Sequence, residues 1–181
     1  INNLSAGTYS LSIEDINGCS SNSSVSLAEP APLQNFFTTD SVTCNGGNDG
    51  AAYSNVSGGT APYQYSWTNL SDSSSAHALM ANTLYHVSVV DVNACPDLTD
   101  SVEVLQPDSL FMSATLTLPT CSGVNDGALT IDNISGATGS YTLSWSNGSS
   151  GTMLNNLYGD STYSCFVTDA SGCVDSSYSF Y

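Results

Sequence analysis

Apolar and polar residues alternate with a period of two over several short stretches of the chain. Tyr63, Tyr65 and Trp67 are separated by Gln64 and Ser66, and Tyr85, Val87 and Val89 by His86 and Ser88. The alternation returns at Tyr141, Leu143 and Trp145, then at Tyr163, Cys165 and Val167. Successive side chains of an extended chain face opposite ways, so each run predicts a half-buried strand. No stretch carries the apolar stripe of an amphipathic helix. Turn residues punctuate the runs at Asn17-Gly18, Asn48-Asp49-Gly50, Gly58-Gly59 before Pro62, Asn125-Asp126-Gly127, Asn147-Gly148 and Ser171-Gly172. Such dipeptides supply positive φ or Asx hydrogen bonds. Strands and turns at this density, about seven strands to a unit, predict an all-β fold of immunoglobulin-like antiparallel β-sandwiches. A chain of small β-barrels is the alternative.

The pattern is repeated. Cys44 recurs as Cys121, Trp67 as Trp145, and Cys95 as Cys173. A partial earlier copy is marked by Tyr9, Cys19 and Glu29-Pro30, which return as Tyr85, Cys95 and Gln106-Pro107. Self-similarity at a fixed period, here about 77 residues, is the signature of a repeat architecture. The expected organisation is the C-terminal part of a repeat over 1–33, a complete repeat over 34–110 and a nearly complete one over 111–181. A start in mid-repeat predicts a window on a longer array. The alternative is a terminal segment, 1–29, that completes a neighbouring subunit by strand addition.

Composition narrows the chemistry. The 181 residues include 16 Asp and Glu, two His and no Lys or Arg, for a formal charge of −16. Nothing here can neutralise phosphate, so nucleic acid and anionic membrane surfaces are excluded as expected partners. No apolar run has the length of a membrane span and no leader pattern is visible at Ile1, so membrane insertion is not expected. Ordinary salt bridges are impossible, which leaves apolar burial, hydrogen bonds and disulfides to hold the fold.

Six cysteines suit an oxidising compartment. Each complete repeat has one Cys before its Asn-Asp-Gly turn and one after its second Tyr strand. The expected bridges are therefore Cys44 with Cys95 and Cys121 with Cys173. Cys19, the second cysteine of the partial copy, is expected to be unpaired in this segment. Cys165 stands where the other copies have Leu11 and Val87, and reads as a buried unpaired thiol. Tyr163-Ser164-Cys165 also fits the Tyr-x-Cys corner of antibody domains, which keeps a Cys121–Cys165 bridge as an alternative.

The run Val42-Thr43-Cys44-Asn45-Gly46-Gly47-Asn48-Asp49-Gly50, followed by Gly58-Gly59-Thr60-Ala61-Pro62-Tyr63-Gln64-Tyr65-Ser66-Trp67, resembles the SprB repeat of giant bacterial gliding-motility adhesins. Ala6-Gly7-Thr8-Tyr9, Glu14-Asp15-Ile16-Asn17-Gly18-Cys19 and Glu29-Pro30-Ala31-Pro32-Leu33 resemble the other end of that repeat, so the likeness spans the chain. Two departures touch turn details: Gly136-Ala137-Thr138-Gly139-Ser140-Tyr141 replaces the Gly-Gly-Thr-x-Pro-Tyr turn, and Val92-Asn93-Ala94-Cys95 lacks the usual Gly. The resemblance implies a secreted protein at the cell surface of a bacterium, exported by a dedicated system, whose tandem Ig-like repeats form filaments. Expected partners are neighbouring repeats of the same chain, with surface glycans or other fibres as candidates.

The search for other chemistry gives little. His77 and His86 do not recur between copies, and no nucleophile is paired with a base, so no enzyme and no catalytic residue are expected. Asp49, Asp126, Asp91, Asp169 and Asp15 stand beside turns. They are candidate calcium ligands, against the simpler reading that they bond turn amides. No cofactor is otherwise expected. Asp40-Ser41-Val42, Asp100-Ser101-Val102, Asp108-Ser109-Leu110 and Asp160-Ser161-Thr162 resemble the O-glycosylation acceptor motif of the same bacterial group, which makes Ser41, Ser101, Ser109 and Ser161 candidate glycan sites. Proline-bearing junctions with almost no spacer predict a semi-rigid rod. Two readings compete with an adhesin filament: a self-assembling matrix or sheath fibre, and a carbohydrate-binding accessory module using Tyr63, Tyr65 or Tyr141 as a stacking platform.

Overall fold

The computed structural model describes residues 2–95, 97–159 and 161–180, the last five by backbone alone. Among the described residues every regular element is a β-strand and all pairing is antiparallel. No helix is long and apolar enough to cross a membrane.

The strands fall into three groups. The first is a hairpin of β1 (Gly7–Glu14) and β2 (Ser20–Leu27). The second comprises β3 (Gln34–Asp40), β4 (Gly50–Ser57), β5 (Gln64–Trp67), β6 (Ser75–Leu79), β7 (Leu84–Val90) and β8 (Leu98–Glu103). These make two three-stranded sheets, ordered β3-β4-β6 and β5-β7-β8. The third group repeats the plan: β9 (Phe111–Thr117), β10 (Gly127–Ser135), β11 (Tyr141–Trp145), β12 (Met153–Leu157), β13 (Tyr163–Asp169) and β14 (Val174–Phe180), with sheets β9-β10-β12 and β11-β13-β14.

Among the described residues each complete unit is thus a sandwich of six strands rather than the expected seven. The missing strand is explained between β5 and β6, where residues 68–74 carry the chain directly from one sheet to the other. Within that crossing Trp67 N–H bonds Ser71 O and the indole Nε1–H bonds Ser73 O at 2.9 Å. Trp145 repeats both bonds, to Ser149 O and Gly151 O.

The period-two runs place their apolar members between the sheets. Trp67, Val87, Val89, Leu79, Val104 and Ala52 form the core of one sandwich, and Trp145, Leu129, Met112, Leu154, Cys165 and Val167 that of the other. Burying a large apolar side chain stabilises by about 1.5–3 kcal/mol, and this must carry a fold without Lys or Arg. Tyr85 lies on the core side of β7, and its Oη accepts a 2.8 Å bond from Met80 N–H. Tyr163 accepts in the same way from Tyr158 N–H. This resembles the tyrosine corner of immunoglobulin-like sandwiches, a bond that pins the strand entry to the loop before it.

Candidate functional site: the junction between repeats

Chain direction sets two different poles on each sandwich. Strand β3 runs away from the preceding junction and ends in the 41–49 loop, which holds Cys44. Val42 N–H bonds Leu105 O, Asn45 Nδ2–H bonds Pro107 O at 2.9 Å, and Gly46 N–H bonds Gln106 Oε1 at 2.8 Å. The loop therefore grips the segment leaving its own sandwich. Its shape is fixed internally by Asp49, whose carboxylate accepts from Thr43 N–H at 2.9 Å and from the Thr43 hydroxyl, and by Gly47 N–H on Cys44 O. Asp126 holds Thr120 and the Cys121 loop in the same way, at 2.9 and 2.6 Å.

Strand β7 runs the other way and ends at the opposite pole with Asp91. Oδ1 of Asp91 accepts from Asn93 N–H and Cys95 N–H, and Oδ2 accepts from Thr60 N–H, all at 3.0 Å. Asp169 repeats the set with Ser171, Cys173 and Thr138. Asp15 keeps the first half of it, with Asn17 and Cys19. These N–H groups hold the carboxyls of Asp91 and Asp169 below their ordinary pKa, led by the bond from Cys95 in one case and from Thr138 in the other. Thr43 and Thr120 lower those of Asp49 and Asp126, chiefly through their hydroxyls.

The segment entering each sandwich docks at this second pole. Gly59 N–H bonds Ala31 O at 2.7 Å. A Cβ on Gly58 would lie 2.0 Å from Pro32 O, and one on Gly136 would lie 2.1 Å from Ser109 O. Both glycines have positive φ, at +78° and +73°, so contact and conformation alike demand Gly. The third copy keeps this glycine and relaxes the next position to Ala137.

The disulfide expectation is corrected here. Cys44 bonds Cys173, with Cα atoms 5.6 Å apart, and neither Cys44–Cys95 nor Cys121–Cys173 forms. The two cysteines of one repeat sit at opposite poles, separated by the length of a strand such as β3, roughly 20 Å, whereas a disulfide needs Cα atoms within about 7 Å. The first cysteine of one repeat does meet the second cysteine of the next, because a leaving pole abuts an entering pole. The bridge therefore crosses the junction. Cys95 and Cys121 are exposed free thiols, as is Cys19; Cys165 is a buried free thiol, paired in register with Trp145. A Cys121–Cys165 bridge is likewise not formed. Burial, then Asp91, push the Cys95 thiol above its ordinary pKa, and burial does so for Cys165.

The acids considered for calcium do not gather. Among the described residues no three His, Cys, Asp or Glu side chains form a group able to hold a metal ion. The carboxylates of Asp49, Asp91, Asp126 and Asp169 accept from N–H and O–H donors, which closes the turns beside them. Ser41, Ser101 and Ser109 are exposed and Ser161 is half-buried, while its neighbour Asp160 lies outside the described residues. Tyr63 and Tyr65 are half-buried against the core, and the Tyr63 hydroxyl donates to Gly58 O at 2.6 Å. Tyr141 is 45% exposed. His77 and His86 are exposed, His77 edge-on to Tyr53.

The SprB repeat family model matches residues 37–72 and 113–150, the stretches that carry β3–β5 and β9–β11 with their cysteine loops. Two stretches of this chain are SprB repeats. A comparison with curated protein sequences finds no matching relative. SprB repeats occur in bacterial cell-surface proteins. The repeats matched here include both first-position cysteines, Cys44 and Cys121, and both junction glycines, Gly58 and Gly136. Those residues are legible in the sequence; the poles they occupy are not, since only the strand directions reveal them.

Proposed function

We propose that the chain is a structural segment of a long secreted cell-surface filament or adhesin, in which tandem SprB sandwiches carry attachment or gliding-type contact away from a bacterial surface. The observation that supports this most is the Cys44–Cys173 bridge, which fastens one sandwich to the next. A covalent staple between like units suits a spacer that carries tension along the chain. Charge of a single sign favours the same reading, since like-charged repeats resist lateral collapse at low salt. A matrix or sheath fibre shares this construction and differs in lateral contact. The carbohydrate-binding alternative loses support, because two of its three tyrosines pack inward.

The test is immuno-electron microscopy of cells with antibody to this segment, together with attachment assays in its presence. Labelled strands beaded at roughly 35–45 Å, the height of strands of about eight residues plus turns, and blocked attachment are expected. Compact labelled particles in the medium would overturn the filament, and laterally fused bundles without loss of attachment would favour the sheath. Glycosylation at the exposed Ser41, Ser101 and Ser109 belongs to the same proposal. An intact mass equal to that of the bare polypeptide would dismiss it.

A further inference from the structure

The bridge joins cysteines of two kinds. Cys44 belongs to the leaving pole and is held by a Thr-Asp loop; Cys173 belongs to the entering pole and is held by an Asp-capped turn. Each kind occurs again without a partner. Cys121 is the counterpart of Cys44 one repeat later, in a loop with the same kind of bonds, Thr120 to Asp126, and a matching turn, Val124 N–H on Cys121 O. Cys95 is the counterpart of Cys173 one repeat earlier, on the same Asp cap.

A second observation concerns the ground beside Cys95. A groove of about 690 Å³ opens there between the turn and the entering segment, lined by Pro30, Ala31, Pro32, Gly59, Cys95 and Leu98. At the next junction the equivalent ground, beside Cys173, receives the Cys44 loop, and the Cys173 sulfur lies 3.4 Å from Thr43 O. The groove thus stands where a leaving-pole loop docks.

We propose that Cys95 and Cys121 are open positions of a disulfide ladder, in which the leaving-pole cysteine of each SprB repeat bonds the entering-pole cysteine of the repeat after it. The occupant of the Cys95 groove is the cysteine loop of another SprB repeat, and the partner of Cys121 is an Asp-capped turn like that of Cys95 or Cys19. Bond formation proceeds by exchange with a small-molecule disulfide. Two cysteine thiols and one glutathione disulfide give one inter-repeat S–S bond and two glutathione thiols, which take up the two protons. The inference rests on the chain being a run of like units and is indifferent to what such a filament adheres to.

The test uses this chain itself, equilibrated in a glutathione redox buffer, quenched in acid, digested with pepsin and mapped by mass spectrometry without reduction. Within a chain the expected link is Cys44–Cys173. Between chains the expected links join Cys121 to Cys95 or Cys19, in at least tenfold excess over Cys121–Cys121 and Cys95–Cys95. In Cys44→Ser, Cys173 becomes a third acceptor for Cys121 of another chain, while the β circular-dichroism spectrum is retained. Like-with-like links at parity, Cys44–Cys95 within a chain, or Cys95 and Cys121 persisting as thiols after Cys44–Cys173 has formed would each overturn the ladder. Cell attachment that persists in the presence of antibody to this segment, with these links formed as expected, would fault only the adhesive reading.

Discussion

Single side chains here do the work that ion pairs do elsewhere. Tyr85 gives a buried acceptor to Met80 N–H, and Tyr85→Phe removes it without altering the ring. The expected loss is about 1 kcal/mol, read as a lowered thermal midpoint with an unchanged strand spectrum. Asp91 serves three backbone N–H groups, and its effect depends on pH in a definite sense. Its folded pKa lies below the ordinary 3.8, so its contribution is fully present above that value and is lost as pH falls through the folded pKa. Asp91→Asn removes both the charge and one of the two carboxylate acceptors. Melting temperature should fall at pH 7, and the further fall on acidification below about pH 4 should be shallower than in the parent. Parallel melting curves would contradict this role. The local half of the Asp91 cap was readable in the sequence, since an Asp just before a turn commonly accepts from the amides that follow it. The third bond, from the distant Thr60, was not, because it depends on two turns meeting in space.

At the scale of elements, alternation of apolar residues was enough to place β5, β7, β11 and β13 and to orient their inward faces. The expectation of about seven strands came from the density of strands and turns, and it exceeds the six present because the link from β5 to β6 has the length of a strand yet serves as a crossing, closed by the tryptophan bonds. The hairpin β1–β2 shows the converse. Leu11, Ile13 and Val25, about 60% exposed, stand at the repeat positions that in β7 and β8 form a core. They have the pattern of a buried sheet face, and among the described residues no second sheet packs against it. A two-stranded hairpin is marginal alone in water. Amide hydrogen exchange should therefore find residues 7–27 exchanging near their unprotected rates while β4 and β7 stay protected for hours; equal protection would show a covered face.

For the whole molecule, the repeat period defined which residues are equivalent, and it did so correctly for cysteines, tryptophans and glycines. Equivalence alone cannot decide whether partners lie in the same copy or in adjacent ones. The pairing was settled by strand direction, which sends the first cysteine to one end of the sandwich and the second to the other. A disulfide with a sequence separation of 129 also makes the two sandwiches one covalent loop. Chain-entropy reasoning values such closure at about 5 kcal/mol of unfolded-state restriction, shared by both units.

Damage meets such a loop differently from an open chain. The peptide chain between the sandwiches and the Cys44–Cys173 bond are two independent tethers over the same gap. One hydrolysed peptide bond near Gln106-Pro107 would leave residues on both sides still joined, as a zipper with one broken tooth remains closed. A deliberately nicked chain should migrate as a single species on a denaturing gel until a reductant is added, and then separate into two. Severing the chain at such a point takes two chemically unlike events, proteolysis and reduction, and an enzyme that performs one of them is by itself harmless.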